Sequence, residues 1–421
     1  MTFNSPVKSI VLVLAVAVGI PVIGQDWTVY DMSNSPLPST TVTALVEDPE
    51  GGLWVGTDWG LCHFDGDAQW MVYQESNSDL PWNAISTLDV DDQGGLWIGT
   101  VSGGLAYFLD DQWLTFDPTD SPMPSYGVRD LFVDHRGWVW VATASGLVCI
   151  TGTEWRIYDD TELSHDGAVL NTNNTNAIAV RPDGLVCLGT FNGGLHYISD
   201  GTVTFLTTFQ DGFFDNTATD VLFDPVSGAR WIATPAGGLL RQQGPPVGGN
   251  WYQWNSSIAF PSNAMACIAM DVQHRVWAGT QLSGIIRIDT DDSFTQFTMA
   301  NSGLPDNEVG SIMVASDGSV WAGTVYGGLV HYLSVVGLEE PQSRINGLFP
   351  NPVNGQGFNV WRMESTDPAM WELFGPTGKL IQQGSFRGEH LVVPTHGLAS
   401  GLYLFRLQVD GFVEGKRVLV F

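Results

Sequence analysis

Leu53-Trp54-Val55-Gly56-Thr57 is the stretch that decides the fold, because the chain repeats it. The copies are Leu96-Trp97-Ile98-Gly99-Thr100, Val139-Trp140-Val141-Ala142-Thr143, Val186-Cys187-Leu188-Gly189-Thr190, Arg230-Trp231-Ile232-Ala233-Thr234, Val276-Trp277-Ala278-Gly279-Thr280 and Val320-Trp321-Ala322-Gly323-Thr324. The closing threonines stand at 57, 100, 143, 190, 234, 280 and 324, in steps of 43, 43, 47, 44, 46 and 44 residues. A period of about 40–45 residues corresponds to one four-stranded propeller blade. Position and residue type repeat together, so the expected fold class is all-β: a seven-bladed β-propeller followed by a small C-terminal β-sandwich.

Working outward from the motif, each unit has the same grammar. An alternating segment such as Val42-Thr43-Ala44-Leu45-Val46 leads into an Asp/Gly turn, Asp48-Pro49-Glu50-Gly51-Gly52. The Trp-x-Gly-Thr strand, a short link, Gly-Leu with a third strand, and an aromatic strand such as Trp70-Met71-Val72-Tyr73 complete the unit. Short β-branched and aromatic runs between Asp/Gly/Pro turns predict an antiparallel meander. The last unit has no aromatic strand after His331-Tyr332, whereas Trp27-Thr28-Val29-Tyr30 stands orphaned before the first. The orphan is expected to pair into the last blade and close the ring, which removes exposed strand edges.

The Trp-x-Gly-Thr-x-x-Gly-Leu unit, with Leu-Pro-x-Asn before the next blade, resembles the two-component regulator propeller repeat over roughly residues 26–335. In that family such repeats build extracytoplasmic sensor halves of hybrid histidine kinases, among them sensors of glycan breakdown products. Blades four and five depart from the pattern: Cys187 replaces the Trp, and Leu-Pro is missing before blades four, five and six. No anchor, kinase or sensor-type sandwich follows the repeats, so a sensory function is not carried over with them.

Both ends of the chain read as an address. Lys8 precedes the apolar run Ile10–Ile20, with Val22-Ile23-Gly24 before a cut at Gln25. This has the shape of a secretory signal and is too short to span a membrane. The expected layout is 1–24 signal peptide, 25–335 propeller, 336–347 linker and 348–421 C-terminal domain. That last segment resembles the type A C-terminal sorting domain of the type IX secretion system of Bacteroidetes. The matching positions are Pro350, Asn351, Pro352, Gly378, Gly401, Tyr403 and Lys416. The resemblance implies type IX secretion machinery as a partner. It also implies passage through the periplasm and delivery as a secreted or outer-membrane-surface protein, with no transmembrane segment after signal cleavage.

The chain holds 45 acidic and 16 basic residues, a net charge of −29. The propeller segment holds 37 acids against 8 bases, all eight of them Arg. Such a domain repels phosphate backbones and anionic lipid, which excludes nucleic acid and disfavours a membrane surface. Cys62, Cys149, Cys187 and Cys267 all fall on predicted strands and read as small buried hydrophobes. They form no CxxC or zinc spacing.

No catalytic constellation, cofactor motif or metal motif emerges. Asp48, Asp91, Asp134, Asp224 and Asp271 recur at one turn position and are accounted for by turn capping instead of calcium. His63 and His331 are assigned to packing. His165 beside Asp166 is a weak acid–base pair whose adjacency in a loop reads as solvation. Strand direction places the loops after the Gly-Thr strands and after the outer strands on one face. That face presents Asp58, Trp59, Trp82, Asn83, Tyr126, Phe191, Asn192, Phe213, Phe214, Asp306, Asn307 and Tyr326 as ligand-binding candidates. Aromatics beside Asn and Asp suit stacking and hydrogen bonding to an oligosaccharide, or contact with a protein. The expected function is a secreted or cell-surface non-catalytic binding propeller. The alternative is a propeller-fold lyase acting on a polysaccharide or streptogramin-like substrate. It needs a base plus cationic or metal help, and the acidic, lysine-free mouth supplies little of that.

Overall fold

The computed structural model describes residues 26–333, apart from 66–68, 162–163, 200 and 209–214, together with 345–349, 357–362, 369–375, 379–388, 390–409 and 412–420. Phe213, Phe214, the proposed signal, and Pro350, Asn351, Pro352 and Gly378 lie outside these residues. The chain divides into two compact units, Met1–Val335 and Val336–Phe421.

In the first unit the described strands form seven four-stranded antiparallel sheets. Val42–Glu47, Leu53–Thr57, Gly60–Phe64 and Trp70–Tyr73 pair in chain order, and the next five sheets repeat the scheme. The remaining sheet runs Asp26–Tyr30, Leu329–Leu333, Val320–Thr324, Val309–Val314, so the orphan strand is its outer member, with Trp27 opposite Tyr332. The first strand of each sheet packs on the first strand of the next, and Val42–Glu47 packs on both Ile85–Val90 and Val309–Val314.

The repeated motif is explained by three contacts. Each motif threonine is fully buried and donates through Oγ1 to the carbonyl of the glycine that opens the third strand: Thr57 to Gly60 at 2.7 Å, Thr143 to Gly146 at 2.8 Å, Thr280 to Gly284 at 2.8 Å, Thr324 to Gly328 at 2.8 Å. The motif glycine sits where sheets touch: a Cβ on Gly56 would lie 2.7 Å from Ile85 Cγ2 of the next sheet. The motif Trp fills the space between sheets, and its indole N–H can reach the turn aspartate. Trp277 Nε1 donates to Asp271 at 2.9 Å and Trp140 Nε1 to Asp134 at 3.2 Å. The same carboxylates cap the turn, with Asp271 Oδ1 accepting from the Gln273 and Arg275 amides. All four cysteines are buried and free.

The second unit has a three-stranded antiparallel sheet (Ile345–Phe349, Gly357–Arg362, His390–Pro394) and a four-stranded one (Leu380–Phe386, Ala369–Phe374, Gly401–Val409, Phe412–Val420). Its first strand starts within the stretch expected as linker. One core cluster draws Phe358, Val360 and Val393 from the first sheet and Trp371, Leu373, Tyr403, Phe405 and Val418 from the second. Tyr403, from the expected sorting motif, is buried and donates to the Ala399 carbonyl at 2.9 Å. Gly401 and Lys416 lie on the last two strands, Gly401 opposite Val420 and Lys416 opposite Phe405.

Candidate ligand-binding face

Two kinds of loop meet at one end of the strands in the first unit. The link after most motif threonines ends in a glycine whose N–H donates to the loop that crosses between sheets: Gly104 to Tyr126 O at 2.8 Å, Gly284 to Asn307 O at 2.9 Å, Gly328 to Thr40 O at 3.0 Å. The crossing loops are themselves latched by an asparagine. Asn83 Oδ1 accepts from the Glu75 amide at 2.9 Å, and Asn307 Oδ1 from the Met299 amide at 2.9 Å. Asn173, Asn216 and Asn263 make the equivalent contact although no Leu-Pro precedes them. Asn83 and Asn307 therefore brace the loops, and the ring-bearing residues are what the face presents outward.

Those rings are exposed: Trp59 60%, Trp82 42%, Tyr126 44%, Phe191 50% and Tyr326 74%. Trp82 is seated against Gly103, where a Cβ would come within 2.6 Å of its own Cβ. Asp306 is committed to the backbone, Oδ2 accepting from the Tyr326 amide at 2.9 Å and Oδ1 from the Glu308 amide at 3.1 Å. Exposed Asn192 holds a left-handed conformation, φ 65°, and its amide donates to Thr217 Oγ1 at 3.2 Å. The links carrying Trp59 and Tyr326 share one strut, Thr41. Its carbonyl accepts from the Asp58 amide at 3.3 Å, and its hydroxyl donates to the Val325 carbonyl at 2.8 Å. The two rings thus project from adjoining links of the first and last sheets.

Sequence reasoning missed the polar lining of the space enclosed by the first strands, a cavity of about 230 Å³. Most first strands carry a bulge at their second residue, among them Thr43, Arg129 and Asn176. These side chains reach carbonyls in or just before the neighbouring first strand: Thr43 to Ile85 O at 2.7 Å, Arg129 to Thr175 O at 3.3 Å, Asn176 to Ala218 O at 2.7 Å. Carboxylates do the complementary job. Asp130 accepts from the Leu131 amide at 2.9 Å and, across the sheet boundary, from the Ile178 amide at 2.7 Å. Asp220 repeats this with the Val221 and Ile268 amides, both at 2.7 Å, and Asp89 with those of Val90 at 2.9 Å and Val133 at 2.7 Å.

Burial pushes these acids up, Asp89 to about 6, Asp130 to about 7 and Asp220 to about 8, the last also through the nearby Asp130 charge. Their oxygens are occupied by amides, so they act as braces between sheets and do not point a free base at solvent. The available signal was Asp inside short strands such as Asp220-Val221-Leu222-Phe223, where Asp is normally depleted.

Three of the described histidines pair with a carboxylate. His63 Nε2 lies 2.7 Å from Asp48 Oδ2 and its ring 4.4 Å from Trp54, so it is anchored by a carboxylate as well as packed. His274 pairs with Asp224 at 3.0 Å and His165 with Asp166 at 3.1 Å. Among the described residues no group of three or more His, Cys, Asp or Glu is placed to hold a metal.

The two-component regulator propeller family matches residues 36–59 and 303–326. The chain carries two-component regulator propeller repeats. The matched segments run through the first and last sheets and end at Trp59 and Tyr326, the two rings that share Thr41. No curated protein matches the chain. Among solved structures, the extracellular domain of the hybrid two-component system BT3049 of B. thetaiotaomicron superposes with a TM-score of 0.63 at 17% identity, over 94% of this chain and 57% of that one. PorZ, an essential surface component of the type IX secretion system of Porphyromonas gingivalis, gives 0.60 at 15% identity, over 93% and 61%. YCF48 from Cyanidioschyzon merolae gives 0.54 at 12% identity, over 74% and 99%. The chain spans about three-fifths of the length of the first two relatives, 57% and 61%. The shared fold is the β-propeller.

Proposed function

We propose that the protein is a secreted or surface-displayed seven-bladed propeller that binds an oligosaccharide or a protein through its loop face, without turning it over. The observation that carries this reading is the set of exposed rings Trp59, Trp82, Tyr126, Phe191 and Tyr326, held on loops that glycine N–H groups and asparagines tie to a rigid sheet scaffold. Exposed aromatics on preorganised loops lose little freedom on binding and offer faces to sugar rings or apolar side chains. The closed succession of first-strand contacts supports the seven-bladed ring.

In the same reading, residues 1–24 direct export, and the second unit is a type A sorting domain with a sandwich core that hands the propeller to the type IX machinery. The buried, hydrogen-bonded Tyr403 is consistent with its place in that motif. The fold likeness to an extracellular sensor domain and to a type IX surface component supports an extracytoplasmic location. The test is a glycan array and a surface-proteome pull-down with the mature chain and with Trp59→Ala/Tyr326→Ala. Loss of a specific signal in the variant supports the reading. Release of an unsaturated product from an anionic polysaccharide would make the protein a lyase instead.

A further inference from the structure

Ala315 occupies a position that other sheets give to an aspartate. Its amide donates to Ser319 O at 2.9 Å, as Asp48 does to Gly52 O at 3.2 Å and Asp271 to Arg275 O at 3.0 Å, so the turns are equivalent. In the first sheet the aspartate at this position holds His63, which pairs with Trp54 across the strands; in the last sheet His331 pairs in the same register with Trp321. His331 lies on Trp321, ring centroids 4.1 Å apart, and the residue that would hold it is a methyl group. A cavity of about 300 Å³ opens there between the first and last sheets.

The walls of this cavity define what it suits. Tyr30, Phe64 and Trp321 supply rings with centroids 5.4 to 6.1 Å apart, and Glu47 and Asp317 supply charge. Among the described residues no Lys or Arg lines it. Burial holds the His331 imidazole below its ordinary range, so the lining bears net negative charge at neutral pH. Glu47 is fixed in place by Ser316, whose hydroxyl and amide donate to its two oxygens at 2.6 and 2.8 Å. Aromatic faces with carboxylates and no competing cation favour an organic cation. The cavity lies at the turn end of the strands, opposite the loop face.

We propose that this seam between the first and last sheets is a binding site for a small organic cation of the quaternary or primary ammonium class. Because Tyr30 comes from the N-terminal strand and the other walls from the first and last sheets, an occupant bridges both ends of the ring. It therefore stabilises the closed form by mass action.

The experiment titrates choline, and separately its neutral isostere 3,3-dimethyl-1-butanol, into the full chain by calorimetry and follows melting. Choline is expected to bind at one site and raise the melting temperature, with the isostere at least tenfold weaker. Ala315→Arg, which places a competing cation between Glu47 and Asp317, should abolish choline binding in a chain that still folds. Asp317→Asn, at the exposed rim, should weaken binding at least tenfold without loss of fold. No choline binding, equal affinity for the isostere, or undiminished binding by a folded Ala315→Arg or Asp317→Asn chain would each overturn the assignment. Trp59→Ala should leave choline binding unchanged, which separates this site from the loop face; a loss there would also overturn it.

Discussion

Trp27 and Tyr332 lie face to face, ring centroids 4.5 Å apart and planes 30° from parallel, although one opens the described chain and the other closes its first unit. They are also register partners in the sheet. Phe297 of the preceding sheet sits 5.8 Å from Trp27, so a single ring ties the N-terminal strand both to its own sheet and to the neighbour.

Removing that tie should open the ring. Trp27→Ala is expected to cost about 2–4 kcal/mol, near the large-aromatic range with allowance for partial exposure. Deleting residues 25–31 should lower the melting temperature further and broaden the transition. A calorimetric scan checks both, and an unchanged midpoint in the deletion would contradict closure by this strand.

The buried threonine contact makes a second expectation. Thr280 Oγ1 donates to Gly284 O and accepts from the Ser283 amide, each at 2.8 Å. Thr280→Val keeps the shape and strands both partners, a loss of about 1–3 kcal/mol. Thr280→Ser should recover most of it in urea unfolding.

Stability should vary with pH in a direction set by the inner acids. Burial raises Asp89, Asp130 and Asp220 to about 6, 7 and 8 in the folded state, from the ordinary carboxylate value of 3.8 that they regain when unfolded. Between these limits the folded state holds more protons, so stability falls as pH rises and the full penalty is present above about 8. His196, buried and lowered to about 4 from 6.5, works the other way. Its contribution is lost as pH falls through its unfolded value. With three such acids against one histidine, the melting temperature should be highest at about pH 4 and decline towards pH 9. Asp220→Asn should flatten the decline.

Export gives the fourth expectation. Removing residues 340–421 should retain the propeller in the periplasm of a type IX-competent host, and fusing them to a neutral cargo should carry it to the surface. Fractionation with surface proteolysis reads the result. Efficient display without those residues would remove the sorting role.

Much of this fold was legible because its signals are local. Gly56 and Thr57 recur at a fixed period because each must meet the next sheet or the glycine that opens the third strand, and a short motif carries both needs. The exposed rings at Trp59 and Tyr326 could be placed on one face from strand direction alone. The sequence was silent on which side chains brace the loops: Asn83 and Asn307, expected as ligand contacts, also accept the Glu75 and Met299 amides through Oδ1.

Periodicity, residue type and turn chemistry by themselves determined the strands, their order within each sheet and the pairing of Trp27–Tyr30 with the last one. Tertiary structure decided what depends on residues far apart in the chain. Asp130 becomes a brace only because the Ile178 amide of the next sheet arrives 2.7 Å away. Ala315 becomes the wall of a cavity only because Glu47 and Phe64 close over it from the other end of the ring. A one-residue departure from a repeat is visible in sequence as a substitution; whether it leaves space or is filled depends on the neighbouring sheet.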